Sequence, residues 1–390
     1  MIPYGRQSID ETDIQAIVDT LRSDWLTTGP KVEEFERAVA STVGVNEGVA
    51  VSSGTAGLHA AIHAIGIIPG DEVILSPLTF VSTANAIVME GGVPIFADVD
   101  PDTLLIDPES VQRKISTRTR AILAVDYAGQ PCDYSALRLI AQQDGLLLVA
   151  DACHSLGASL DGHPVGSLAD LTVFSFHPVK AITTAEGGMV VTNDSTFART
   201  MRRFRNHGIT TDHRERSQRG TWCYEMVELG WNYRLSDLQC ALGIAQLKKL
   251  SGWIQRRQAI ASQYDLGFQS LSMVHPVKPR QGVTHAYHLY VIVLQGESTS
   301  IRTELYHSLK KMGIGTQVHY LPVHLHPYYQ KRLGLGRGHC PVAEQASDRM
   351  LSLPIFPGMT NEDVMLVIDC MSQCLTPVGD SEPLTCSVRA

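Results

Sequence analysis

LLLVADACHSLG, residues 146–157, and LTVFSFHPVKAITTAEGG, residues 171–188, decide how this chain folds. Each opens on an unbroken apolar run, Leu146–Ala150 and Leu171–Phe174. A strand without polar alternation is covered on both faces, as in the parallel sheet of an α/β protein. Open sheets of that class bind ligands outside the carboxyl ends of their strands. The first run ends in Asp151; the second is followed by His177-Pro178-Val179 and then Lys180, with Glu186-Gly187-Gly188 a turn later. An acid and an amine are thus delivered to the same sheet edge. A buried, unpaired carboxylate costs several kcal/mol, so Asp151 either faces a cation or caps the following turn. A lone lysine is ordinarily a solvated surface group. Apolar neighbours and glycines around Lys180 argue for desolvation, which favours the neutral amine.

Working outward, the same βα alternation repeats. Strands are expected at Gly48–Ser52, Glu72–Leu75, Val93–Ala97, Ala121–Val125 and Met189–Thr192. Helices are expected at Ala56–Ile65, Val81–Met89, Pro108–Lys114 and Tyr134–Gln143. Ile9–Ser23 reads as an amphipathic helix with Ile14, Ile17, Val18 and Leu21 on one face, and Val32–Val43 as another helix. Ser236–Leu250 reads as a helix capped by Ser236 and Asp237, continuing to about Leu266. Beyond it the pattern becomes α+β: strands His288–Leu294 and Thr316–His319, helices Ile301–Met312 and Asn361–Cys374. The expected division is a large domain over 1–250, a smaller C-terminal domain over 251–375 and a mobile tail over 376–390.

The other residues at the sheet edge extend the acid–amine pair. Ser52-Ser53-Gly54-Thr55 joins a strand to a helix start, which reads either as a plain βα turn or as an anion site. Gly54 lets a backbone approach closely, and the Thr55 and Ser175 hydroxyls can add hydrogen bonds. Phe80 offers an apolar face to a planar group, or else is a core aromatic. His154 either bonds a ring substituent or braces Asp151. A phosphate site, a flat apolar face, an acid for a ring nitrogen and an amine for a Schiff base are together what pyridoxal 5′-phosphate requires.

Composition excludes several other classes. A net charge of −8 argues against a general nucleic-acid binder. No run of about 18 apolar residues suggests a membrane span, and MIPYGRQSID has no signal-peptide core. Eight cysteines without paired CxxC spacing read as reduced thiols, giving a cytoplasmic expectation. One basic stretch, Arg202–Gly208 with Arg214, Arg216 and Arg219, is either a solvated loop or a loop facing phosphate or a second subunit. VHYLPVHLHP, with His319, His324 and His326, lacks the i,i+4 pair of a zinc helix; substrate contact or surface is expected, and no metal.

Several ordered motifs now carry a resemblance: SSGTAGLHAA, DEVILSPLTFVSTANAI, DACHSLGA, FSFHPVKAITTAEGG, GWNYRLSDLQCALG and SLPIFPG. From Tyr4 to about Cys374 the chain resembles the DegT/DnrJ/EryC1/StrS family of sugar aminotransferases. The resemblance implies the fold-type I architecture, a large domain with a mainly parallel seven-stranded sheet and a smaller α+β domain. It implies Lys180 as the Schiff-base lysine and Asp151 as partner of the pyridine nitrogen. Phe80 matches the stacking aromatic, and Gly54, Thr55 and Ser175 match phosphate contacts. His154 matches a residue beside the cofactor, and Asn232 one that reaches the phosphate of a neighbouring subunit. A homodimer with shared sites follows, with L-glutamate as amino donor and pyridoxamine phosphate as the intermediate form of the cofactor.

Within that family RSDWLTTGP, VDYAGQPCD and HPVKAITTAEGG are similar to the 4-aminotransferase branch of pseudaminic acid biosynthesis. That branch implies UDP-2-acetamido-2,6-dideoxy-β-L-arabino-hexos-4-ulose as substrate and UDP-4-amino-4,6-dideoxy-N-acetyl-β-L-altrosamine as product. Tyr4, Trp25, Leu26, Thr27, His319 and Tyr320 are then the expected sugar-nucleotide contacts. Other readings stay open: the UDP-4-amino-4-deoxy-L-arabinose type, a dTDP-sugar 3- or 4-aminotransferase, and a non-catalytic sensor. Lys180 argues against the related dehydratases, which carry His in its place.

Overall fold

The computed structural model describes residues 1–296 and 299–375, so the expected tail at 376–390 lies outside the described residues. The chain forms strands β1 (Glu47–Val51), β2 (Glu72–Leu75), β3 (Val93–Phe96), β4 (Thr119–Val125), β5 (Leu147–Asp151), β6 (Ser159–Leu160), β7 (His163–Pro164), β8 (Leu171–Ser175) and β9 (Gly188–Thr192). The main sheet has seven strands in the order β1-β9-β8-β5-β4-β2-β3. From β8 to β3 every neighbour is parallel. The residues that enter it are buried nearly throughout, which is why these strands read as continuous apolar runs.

β9 departs from the parallel rule, pairing antiparallel with both β8 and β1. A parallel return needs a helical crossover. The chain instead turns back through the helix-free loop between Ser175 and Gly188, and that loop holds Lys180. Because β5 and β8 are adjacent, with Asp151 opposite Val173, the loops after Asp151 and after Ser175 meet at one edge.

Two smaller sheets follow: β10 (Val274–Pro276), β12 (Tyr290–Leu294) and β13 (Met350–Leu353) pair antiparallel in one, and β11 (Val283–Thr284) joins β6 and β7 in the other. The helix Leu250–Gly267 spans two cores. Leu250 and Ile254 pack with the large sheet; Ile260, Ala261 and Tyr264 pack with the sheet of β10, β12 and β13. Among the described residues no helix is long and apolar enough to cross a membrane.

Two local expectations are corrected. Thr316–His319 is not a strand; only an isolated bridge, Gln317 to Ser352, ties it to β13. The first helix, Glu11–Leu21, has its Asp10 capping box, but Ile14 and Leu21 on the expected apolar face are exposed. Asp13 is buried instead, held by Lys249 at 2.8 Å and by the Gln246 side chain at 2.8 Å. Polar pairing, not the aliphatic stripe, selects the inward face of that helix.

Candidate active site

Two carboxylates stand at neighbouring strand ends, and their surroundings separate them. Asp126, just past β4, is fully enclosed. It accepts from the Cys132 N–H at 3.0 Å, the Tyr134 hydroxyl at 2.8 Å and the Ser155 hydroxyl at 2.6 Å. Burial pushes its pKa up to about 6, although those donors oppose the shift. Asp126 does not border the pocket; Asp151, the last residue of β5, does. Asp151 accepts from the Thr83 hydroxyl at 2.6 Å through Oδ2 and from the Cys153 N–H at 3.3 Å through Oδ1.

The anion end of the pocket is built by a helix start. Ser53 caps the helix Gly54–Ala64, its hydroxyl taking the Ala56 N–H at 3.0 Å and its carbonyl the Gly57 N–H. Gly54 and Thr55 therefore open the helix, where N–H groups and the helix dipole favour an anion. A Cβ on Gly54 would sit 2.9 Å from the Ser175 Cβ and 3.3 Å from the Cys153 sulfur. Only glycine allows the helix start, the end of β8 and the turn after β5 to converge this closely.

Lys180 is half-buried in the same pocket, its N–H bonded to the His177 carbonyl. Burial lowers its ammonium pKa, while the negative forms of Cys153 and Asp151 pull the other way. A group of rings borders the same pocket. The exposed face of Phe80 lies 6.3 Å from Tyr320, centroid to centroid. The Tyr320 hydroxyl is 3.2 Å from His154 Nε2, and His154 packs on His288 at 4.2 Å. Burial holds both imidazoles well below the ordinary histidine range, with Lys180 adding to the effect, so both are neutral near pH 7. Nδ1 of each is buried without a protein partner. Burial also brings His319 down to about 4, again with Lys180 contributing; its Nδ1 is 2.9 Å from the Ser352 hydroxyl.

Of the residues expected from sequence, Tyr4, Gly54, Thr55, Phe80, Asp151, His154, Ser175, Lys180, His319 and Tyr320 border this one pocket of about 300 Å3. Thr79, Cys153, Glu186 and His288 border it too, and Thr83 stands behind it. Their types are common in cores and turns, so only Glu186, beside its glycine pair, left a trace in the sequence. Asn232 is exposed, in a backbone bridge to Asn206, and Trp25, Leu26 and Thr27 are exposed as well, all outside the pocket. His324 is corrected: it is completely buried and bonded to Glu344 at 2.9 Å, neither surface nor substrate contact. Much of the basic stretch is neutralised within the chain. Arg202 binds Glu47, Arg203 binds Glu228, and Arg205 binds Glu36.

An amine, an acid, a helix start and an aromatic face in one pocket fit pyridoxal 5′-phosphate. The helix start at Gly54 offers N–H groups to a phosphate, and Asp151 retains acceptor capacity toward a ring N–H.

Comparison with known proteins bears on the same conclusion. Residues 7–372 match the model of the DegT/DnrJ/EryC1/StrS aminotransferase family. The spore coat polysaccharide biosynthesis protein SpsC of Bacillus subtilis is 42% identical over 374 residues, 95% of this chain and 96% of its own. The solved structure of PseC of Helicobacter pylori, an aminotransferase of pseudaminic acid biosynthesis, superposes with a TM-score of 0.91 at 32% identity, covering 96% of this chain and 99% of its own. A putative sugar aminotransferase of Streptococcus pneumoniae, Spr1654, solved in its pyridoxamine phosphate form, gives 0.91 and 32% over the same shares. The chain belongs to the DegT/DnrJ/EryC1/StrS aminotransferase family and is a pyridoxal phosphate-dependent sugar aminotransferase.

Proposed function

We propose that the enzyme moves an amino group from L-glutamate to the C4 ketone of a UDP-linked 4-keto-6-deoxy sugar. The substrate we favour is UDP-2-acetamido-2,6-dideoxy-β-L-arabino-hexos-4-ulose, giving UDP-4-amino-4,6-dideoxy-N-acetyl-β-L-altrosamine. The observation that carries the reading is the meeting of Lys180 and Asp151 in one pocket beside a helix start. The likeness to PseC over nearly the whole chain supports the choice of sugar.

When bound, pyridoxal phosphate supplies the electron sink and carries the amino group between donor and sugar. The chain's own residues do the rest. Lys180 Nζ, kept toward the neutral form by burial, takes the proton from Cα of glutamate and later delivers one to C4 of the sugar. A positioned base of this kind typically contributes ~10²–10⁴-fold. Asp151 holds a proton at the ring nitrogen, and the N–H groups opening at Gly54 and Thr55, with Ser175, hold the phosphate. Phe80, whose ring is exposed at the pocket edge, would offer an apolar face to the cofactor ring. The neutral His154 stands ready to bond a ring oxygen, while His319, Tyr320 and Tyr4 line the way in for the sugar.

We also propose a cytoplasmic homodimer with shared sites. The segment 222–231 exposes Trp222, Met226, Leu229 and Trp231 immediately before Asn232, and a second copy would cover it. In that assembly Asn232 reaches the phosphate of the other subunit, and Trp25, Leu26 and Thr27 contact its sugar.

A second reading is another 4-keto nucleotide sugar, favoured by the higher identity to SpsC than to PseC. A panel of 4-keto UDP- and dTDP-sugars, assayed for 2-oxoglutarate release from glutamate, separates the two. The favoured reading requires the highest kcat/KM with the UDP-β-L-arabino-hexos-4-ulose; a preference for a dTDP-sugar would overturn it.

A further inference from the structure

Thr83 lies at the start of the helix Val81–Met89, is completely buried, and does not border the pocket. A threonine inside a helix commonly turns its hydroxyl back to a carbonyl of the preceding turn. Thr83 instead reaches another element, 68 residues away in sequence, and stands 2.6 Å from Asp151 Oδ2. Its oxygen also lies 2.7 Å from the Thr79 oxygen, and Thr79 does border the pocket.

The proton order in this row is determined. Each hydroxyl has one proton, and an ionised carboxylate can only accept. Thr83 therefore donates to Asp151, which leaves its oxygen to accept from Thr79. The other oxygen of Asp151 accepts the Cys153 N–H at 3.3 Å. Both contacts, one from a hydroxyl and one from a backbone N–H, suit a carboxylate that accepts, and together they fix its plane. Asp126, one strand away, spends its acceptors on three donors of the fold. Asp151 receives the Thr83 hydroxyl at Oδ2 and the longer Cys153 N–H contact at Oδ1.

We propose that Thr83 is the positioning residue of Asp151: its hydroxyl, oriented by Thr79, sets the carboxylate at the angle needed to hold the N–H of a cofactor ring. The proposal rests on the reading that Asp151 pairs with the ring nitrogen. Thr83 touches neither substrate nor cofactor and acts only through the acid.

The test compares the apoprotein's affinity for pyridoxal phosphate with that for its 1-deaza analogue, in which carbon replaces the ring nitrogen. Wild type, Thr83→Val and Thr83→Ser are titrated, with thermal unfolding of each apoprotein as a check on folding. Wild type is expected to prefer the natural cofactor. Thr83→Val should lose about tenfold toward it, the scale of one charge-assisted hydrogen bond, and less than about twofold toward the analogue. Thr83→Ser should recover the preference to within about twofold. In turnover, Thr83→Val should lower kcat more than it changes KM. An equal loss toward both ligands would make Thr83 a packing residue and overturn the proposal. A wild type without any preference would overturn the Asp151 pairing itself, and the proposal with it. Should Thr83→Val fail to fold, Thr79→Val is read in the same way, with a smaller loss confined to the natural cofactor expected and an equal loss on both again contrary.

Discussion

Lys180 carries two opposed influences, and their balance can be measured. Burial lowers its pKa below the ordinary 10.5, whereas Cys153 and Asp151 raise it. The neutral, nucleophilic amine accumulates as pH rises through that lowered pKa. Covalent capture of pyridoxal phosphate by the apoprotein should therefore rise with pH and level off below 10.5. Removing a negative charge that favours the ammonium lowers the pKa further, so in Asp151→Asn the inflection should move to lower pH. An inflection that stays put or rises would show that the acid does not act on the lysine. A second residue-scale outcome concerns Gly54. In Gly54→Ala the new methyl meets the Ser175 Cβ at 2.9 Å, and strain of roughly 1–3 kcal/mol should weaken cofactor binding about tenfold or more; unchanged affinity in a cofactor titration would place the phosphate elsewhere. That Lys180 and Asp151 meet in one pocket was legible because each follows an apolar run that leaves no room for an idle charge. Thr83 and His288 were not, since a buried threonine or histidine looks in sequence like any other core or turn residue.

At the scale of elements, the helix Pro30–Val43 shows how the fold is tied together from a distance. Its N-cap is Gly29, which offers no side chain. Asp237, 208 residues later, takes the Gly29 N–H at 2.7 Å and the Lys31 N–H at 2.9 Å. Asp237→Ala leaves both donors unmet, at about 1–3 kcal/mol for the buried Gly29 N–H and less for the part-buried Lys31 N–H. A clearly lower urea midpoint is expected, with Asp237→Asn milder; a midpoint unchanged by Asp237→Ala would mean water replaces the acid at no cost. The sequence placed Asp237 correctly at the start of its own helix, but its bond to another helix has no local signature. The antiparallel β9 was hidden for a similar reason. An apolar run of five residues suits either direction, and only the helix-free Lys180 loop before it decides. Thr316–His319 alternates like a strand, yet finds a single bridge partner in Ser352.

Over the whole molecule, the order of βα units was readable from the first apolar run to the last, because burial on both faces writes itself as unbroken hydrophobicity. Assembly was less readable. The exposed rings and aliphatics of 222–231 would be core residues by type; what marks them is that the fold leaves them outside. Sedimentation equilibrium should find two chains. Met226→Glu with Leu229→Glu should shift the protein to one chain and weaken its hold on the cofactor, if Asn232 serves the other subunit. A double variant that remains dimeric would move the interface to another face.

On the proposed function, Lys180 is the residue that carries the cofactor and moves the proton. Borohydride reduction of the protein loaded with pyridoxal phosphate makes any lysine–cofactor link permanent, and peptide mass mapping then locates it. The expected result is one adduct, on Lys180, lost together with turnover in Lys180→Ala. An adduct on a different lysine, or turnover at the wild-type rate in Lys180→Ala, would contradict it.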